Sequence, residues 1–167
     1  MEQQQDEYRD ADPGDGRDET EAERLDRNWN ALLQELRVLE TGTQILTGFL
    51  LTVAFQQTFA KLDATEKSVY LVTVSLAALA TVFVLAPVAL HRGLFRQHRM
   101  DVLVTWTDRI LRLALGVAGL AIVGVAVLVF HVAAGPIPGV VAGVVMLLVV
   151  TSAWVVLPLG LRRTERR

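Results

Sequence analysis

Cysteine is absent from this 167-residue chain. Its absence excludes a disulfide framework, a thiolate metal site and a cysteine nucleophile. Charged residues are also scarce, at 20% of the sequence, whereas hydrophobic residues make up 52%. Because the polar residues are concentrated near the N-terminus and in short connections, this balance is too apolar for one soluble domain.

Motifs of enzymatic chemistry are missing as well. The sequence contains no Ser-His-Asp arrangement, no phosphate-binding loop and no paired carboxylates in a plausible cleft. His91 and His98 share a basic stretch without a carboxylate cluster, and His131 stands alone near the predicted outer face. We therefore expect no catalytic residues, no cofactor and no metal site.

The first residues lack an apolar core. Residues 1–23 are rich in Gln, Asp, Glu and Gly, which is the opposite of a cleavable signal peptide. We predict a disordered acidic tail over residues 1–20.

Four long apolar stretches fill most of the remaining chain, at residues 43–60, 68–90, 110–132 and 137–161. Their one charged residue is Arg112, in the first turn of the third stretch. Each stretch is close to the roughly 17–25 residues that a helix needs to cross a bilayer. The sequence therefore predicts an all-α polytopic membrane protein, with a four-helix transmembrane domain at residues 43–161 arranged as two hairpins.

Basic residues indicate the orientation of these spans. Lys61 and Lys67 lie between the first and second spans, and every other Lys or Arg belongs to the opposite side. The positive-inside rule then places both termini in the cytoplasm, with residues 162–167 as a basic tail. The bias toward Ala, Val, Leu and Arg suggests a high-GC bacterial genome, so we expect the spans to lie in a bacterial plasma membrane. The basic inner loop favours anionic lipids rather than nucleic acid.

A cytoplasmic amphipathic helix is predicted over residues 21–40. Leucines and a tryptophan recur there at helical spacing, and neither Pro nor Gly interrupts residues 21–39. We expect the chain to turn at residues 40–42 into the first span. The helix serves either as an interfacial anchor or as a docking face for a partner. The possible partner surface comprises Trp29, Glu35, Arg37 and Glu40.

Polar residues recur every four positions along the first span, at Gln44, Gly48, Thr52 and Gln56. We expect this face to point into the bundle. It would either form interhelical hydrogen bonds, of about 0.6–2 kcal/mol each, or line a path for a small solute. No ionisable residue is expected near the middle of any predicted span, where transporters usually keep one.

Small residues and prolines mark further features of the later spans. Gly139 with Gly143, and Ala114 with Ala118, are spaced for close helix packing, either within one molecule or in a homo-oligomer. Pro87 and Pro158 are expected to kink their helices. Each proline precedes a basic or imidazole pair by four residues, which either indicates a parallel repeat of two hairpins or arises by chance.

Two segments carry a resemblance to a known family. The first is ERLDRNWNALLQELRV at residues 23–38, followed by TGTQILTGFLL at residues 41–51 and Phe55-Gln56, and the second is APVALHR at residues 86–92. They resemble two signatures of an actinobacterial four-span membrane family of unknown function. The resemblance covers roughly residues 20–163 and implies a multi-pass inner-membrane protein. Some relatives carry the name sodium:proton antiporter.

Two functions follow as hypotheses. The first is a non-enzymatic membrane module that docks or modulates an unknown membrane or cytoplasmic protein. The alternative is a small oligomeric ion transporter or channel, such as a sodium:proton antiporter, with the polar face from Gln44 to Gln56 along its path.

Overall fold

The computed structural model describes residues 16–94 and 100–164, and within these ranges the chain is helical without strands. The elements in chain order are α1 (Glu21–Ala54), a 3₁₀ helix (Gln57–Lys61), α2 (Ala64–Leu94), α3 (Met100–Ala134), α4 (Pro136–Thr151), a π-helical turn (Ser152–Val156) and α5 (Leu157–Thr164). Most of the predicted acidic tail, the centre of the predicted basic loop and the last residues of the basic tail lie outside the described residues.

Three helical segments are long and apolar enough to cross a membrane: Ala64–Gly93, Val102–Ala134 and Pro136–Leu161. They coincide with the second, third and fourth predicted apolar stretches, and the all-α prediction is confirmed. Their length and composition suggest a membrane protein. Within the described ranges α1 is not one of these three, because charged residues accompany its apolar ones.

α1 is one continuous helix. It runs through residues 40–42, so the turn expected there is absent, and it ends at Ala54, before the expected end of the first span. A single buried stripe, formed by Leu36, Thr43 and Leu50, extends through both halves at seven-residue spacing. Gly42 lowers helix stability by only about 1 kcal/mol relative to alanine, which packing along this stripe outweighs.

α1 begins with a capping box. The Thr20 hydroxyl accepts a hydrogen bond from the Glu23 backbone N–H at 3.3 Å, and the Glu23 carboxylate accepts one from the Thr20 backbone N–H at 2.9 Å. The Thr20 hydroxyl also donates to the Glu23 carboxylate at 2.8 Å. The hydrogen bonds that this carboxylate accepts from the Thr20 backbone and side chain lower the pKa of Glu23 below its ordinary value.

Small residues bring α2 and α3 close together. The buried alanines of these two helices are Ala77, Ala80, Ala114, Ala118 and Ala121. Ala114 lies in a buried cluster with Val84 of α2, so it contributes to this seam. Gly124 packs directly against the Thr73 side chain, where a Cβ atom would overlap the hydroxyl group.

Glycines bring α4 close to α3. A Cβ atom at Gly139 would lie 2.8 Å from the His131 Cβ, and one at Gly143 would lie 2.5 Å from the Val127 Cγ2. Both glycines are buried at this contact. The two glycines that the sequence marks for helix packing therefore pack within one molecule.

A π-helical turn precedes Pro158. Proline has no N–H, so the carbonyl of Trp154 loses its α-helical donor, and the wider turn at Ser152–Val156 lies immediately before this position. Pro87 is buried within α2, which continues past it as a helix. The kinks expected at both prolines stay predictions.

Candidate functional site

Two contacts fix the alignment of α1 with α2. The Tyr70 hydroxyl donates a hydrogen bond to the Leu50 carbonyl oxygen, with 2.8 Å between the two oxygens. Toward the other end, the Trp29 ring stacks on the His91 ring with centroids 5.5 Å apart. The residue numbers of each pair add up to 120. The two antiparallel helices therefore keep one register between these contacts.

This register places a carboxylate beside the middle of an apolar helix. Leu36 and Val84 share a buried cluster and follow the same numerical relation. Glu40 is consequently level with Ala80, near the middle of Ala64–Gly93. Sequence analysis expected no ionisable residue at this level because it placed residues 21–40 outside the spans. That expectation stays a prediction, and the structure adds the level of Glu40 relative to α2.

Glu40 is half-buried and has a polar partner on its own helix. Its Oε1 accepts a hydrogen bond from the Gln44 side-chain amide at 3.1 Å, and its backbone carbonyl accepts one from the Thr43 hydroxyl, also at 3.1 Å. Gln44 itself is exposed. The pair therefore runs from the edge of the buried stripe, where Glu40 lies, to the exposed side of α1, where Gln44 lies.

Gln44 belongs to an exposed and largely polar side of α1. We define the outward face of α1 as Arg37, Thr41, Gln44, Gly48 and Thr52, all of which are exposed. The Thr41 and Thr52 hydroxyls donate to the carbonyls of Arg37 and Gly48, each at 2.9 Å, so helix-internal bonds satisfy them. The Arg37 guanidinium and the Gln44 amide present polar groups outward.

The expected inward direction of the polar face is therefore wrong. Gln44, Gly48 and Thr52 point away from α2 and α3, and Gln56 is an exposed residue in extended backbone before the 3₁₀ helix. The interior side of α1 is the stripe described above, which is mainly apolar. The sequence signal for this arrangement is a stripe of apolar residues that keeps its helical spacing on both sides of residues 40–42, with no proline to end the helix.

The four residues predicted as a possible partner surface do not form one surface in the structure. Trp29 is half-buried and stacked on His91, so it serves the contact between α1 and α2. Glu35 and Arg37 are exposed, and Glu40 is half-buried. Of these residues, Arg37 belongs to the outward face and Glu35 to a different side of the helix.

Glu35 lines an open cavity of about 670 Å³ between α1, α3 and the π-helical turn, which we name the α1 groove. Its walls are mainly apolar, and the residues important below are Glu35, Leu39, Gly42, Leu115, Ile122 and Trp154. Glu35 is the one formally charged residue among those that line it. The Trp154 ring is positioned by Gly119, where a Cβ atom would lie 2.7 Å from the ring.

Three potential metal ligands lie close together near the N-terminus of α2. Ligand atoms of Asp63, Glu66 and His131 all lie within 4.8 Å of one another. Asp63 and Glu66 also form a capping box, with two hydrogen bonds of 2.8 Å that account for one oxygen of each carboxylate. His131, expected to stand alone, is therefore close to two acidic residues.

Comparison with protein families matches residues 18–158 to DUF6328, a family of unknown function. The chain belongs to DUF6328. Neither the curated proteins nor the solved structures provide a significant match. The part matched to DUF6328 contains the outward face of α1 and all six groove residues named above.

Membership of DUF6328 brings no activity with it, so the chemistry has to be argued from the side chains. The outward face can exchange hydrogen bonds and ion pairs with another polar helix. The groove can accommodate an apolar molecule and present a carboxylate to it.

Proposed function

We propose that this chain is a four-span plasma-membrane protein in which α1 crosses the bilayer beside the three apolar helices, with both termini in the cytoplasm. It acts as a non-enzymatic module that binds a membrane partner through the outward face of α1. The observation that carries this proposal is the hydrogen bond between half-buried Glu40 and exposed Gln44, which lies level with the middle of α2.

Hydrocarbon is a poor environment for that face. An arginine at the centre of a span is unfavourable by about 2.5–3.5 kcal/mol on insertion scales, and an amide whose hydrogen-bonding groups are only partly satisfied is also unfavourable. A partner helix with polar side chains at the same depth would supply hydrogen bonds to Gln44 and a counter-charge to Arg37. The partner is either a second copy of this chain or another membrane protein.

The inner surface offers a separate contact with anionic lipids. Arg92 and Arg109 are exposed near the ends of α2 and α3 that join the basic loop, and Arg109 lies 5.4 Å from the Trp106 ring centroid. Such a pair of arginine and aromatic side chains suits the headgroup level of a bilayer. Nucleic acid is not part of this proposal.

Site-specific photo-crosslinking in native membranes tests the partner. A photoreactive residue at Gln44 should give a discrete protein adduct, and Arg37→Leu should reduce it. The matched control is Val145, which is 54% exposed on α4 and has exposed apolar residues around it. Equal, lipid-only adducts at both positions would refute docking at this face.

A transporter is the second candidate, and the position of Glu40 favours it specifically. A carboxylate near the middle of a span can bind and release a cation or proton where desolvation strengthens binding. Sodium and pH gradients across proteoliposomes test this function. Flux that Glu40→Gln abolishes and the exposed control Glu21→Gln preserves would establish transport, whereas absent flux from a correctly inserted protein would exclude sodium and proton exchange.

A further inference from the structure

The α1 groove has the size of a small-molecule site. Its volume of about 670 Å³ falls within the roughly 300–1,000 Å³ of typical ligand pockets. Residues from three separate helical segments contribute to it, including Leu39 of α1, Leu115 of α3 and Trp154 of the π-helical turn. A pocket built from several elements holds a ligand more specifically than the side of one helix.

The length of the groove argues against a whole transmembrane helix as its occupant. On α1 its lining extends from Gln34 to Leu46, which is about 18 Å at the α-helical rise of 1.5 Å per residue. A membrane-crossing helix occupies about 30 Å of hydrocarbon. A compact apolar molecule fits this length better.

The charge of the groove selects the class of molecule. Glu35 is its one charged lining residue, and it forms no ion pair with any side chain that the structure describes. Trp154 adds an aromatic wall, whose face attracts cations. A carboxylate repels anions and the phosphate of a lipid headgroup, so a positive charge is the complementary one.

We propose that the α1 groove binds a hydrophobic organic cation, with its charge near Glu35 and its apolar groups against Leu39, Leu115 and Ile122. Quaternary ammonium and phosphonium ions with bulky apolar substituents belong to this class. The groove residues and the outward face do not overlap, so this inference goes beyond partner docking and does not depend on it.

Equilibrium dialysis against protein in nanodiscs of zwitterionic lipid tests the site, with tetraphenylphosphonium as the probe and empty nanodiscs subtracted. We expect saturable binding of one cation per chain. Glu35→Gln should weaken it by about tenfold or more, since the variant loses the Coulomb attraction between the carboxylate and the cation. Glu21→Gln, an exposed carboxylate outside the groove, should bind as the wild type does.

A steric pair of variants tests the location. Gly42 lines the groove and has no neighbouring atom within 4 Å of an added Cβ, so Gly42→Leu should fill the groove and abolish binding. Gly48→Leu is the matched control, because Gly48 has equally open space but lies on the outward face. Helical content and monodispersity of each variant should equal those of the wild type.

Three results would overturn the proposal. Non-saturable uptake that Gly42→Leu leaves unchanged would show partition into lipid only. Equal affinity for triphenylphosphine oxide, a neutral molecule of similar shape, would remove the role of charge. Tighter binding of tetraphenylborate than of tetraphenylphosphonium would reverse the class of ligand.

Discussion

Single glycines set the distance between helices in this molecule. At Gly124 the Thr73 side chain occupies the space that a Cβ atom would need, and at Gly143 the Val127 side chain does so. Close approach of backbones allows dispersion contacts and weak hydrogen bonds that hold helices together where hydrophobic burial contributes little. Side-chain size at these positions is therefore a determinant of stability.

Substitution of Gly124 by valine should destabilise the folded protein by about 1–3 kcal/mol, because overpacking forces α2 and α3 apart. Reversible unfolding in mixed detergent micelles measures the free energy. Gly116→Val provides the control, since Gly116 lies on the same helix with no atom within 4 Å of an added Cβ. Equal losses for the two variants would assign the effect to helix propensity rather than packing.

At the N-terminus of α1, the capping box predicts a pH dependence. Its hydrogen bonds lower the pKa of Glu23, so their stabilisation is complete above the ordinary carboxyl pKa and is lost as the pH falls through the lowered value. Amide exchange in the first turn, corrected for intrinsic rates, should accelerate over that acidic range. Glu23→Gln should remove this dependence, and its persistence there would point to another group.

At the scale of elements, the sequence predicts α2, α3 and α4 but not the full extent of α1. The apolar runs of α2, α3 and α4 can be recognised as possible spans by their length and composition. α1 does not, because Glu35, Arg37 and Glu40 interrupt its apolar side chains. Its alignment with α2 follows from tertiary contacts such as Tyr70 with Leu50, which no local pattern encodes.

The candidate site follows the same division. Sequence analysis identified Glu35, Arg37 and Glu40 as surface residues of a helix, and the polar repeat from Gln44 onward as one face. It reversed the direction of that face because it assumed that polar residues in a span point inward. The groove requires α1, α3 and the π-helical turn to meet, which depends on the packing of distant residues.

The lack of cysteine allows a clean test of the depth of α1. Val38 is 76% exposed in the structure, and the proposed crossing of α1 would place it within the bilayer. A single cysteine at Val38 should resist a membrane-impermeant maleimide in intact membranes and react after denaturation. Cysteines that replace Glu21 and Lys61 should react with the maleimide when the reagent can reach the side of the membrane on which each one lies. Rapid labelling at Val38 without denaturation would place this part of α1 in water.

At the scale of the whole molecule, α3 is the central element. It contacts α2 through small residues, α1 through the cluster around Leu36, and α4 through Gly139 and Gly143. α4 leaves most of its surface exposed, with Val144 and Leu148 more than half accessible. The apolar exterior matches a lipid surrounding, and the polar side chains of α1 interrupt it on one side.

Topology reporters distinguish four crossings from three. Green fluorescent protein at the N-terminus and alkaline phosphatase inserted after Lys61 should both be active, because α1 separates them by one crossing. Green fluorescent protein at the C-terminus should also fluoresce, and alkaline phosphatase after Gly135 should be active. Placement of the N-terminus and Lys61 on the same side would show that α1 does not cross.

A helix with Arg37 and Glu40 along its length enters hydrocarbon poorly by itself. α2 follows after a short connection, is strongly apolar, and bonds to α1 through Tyr70. During synthesis, α1 would therefore remain in the aqueous translocation channel until α2 emerges from the ribosome. The two helices would then move sideways into the bilayer as one preassembled hairpin, so that biogenesis of the proposed first crossing would depend on residues translated after it.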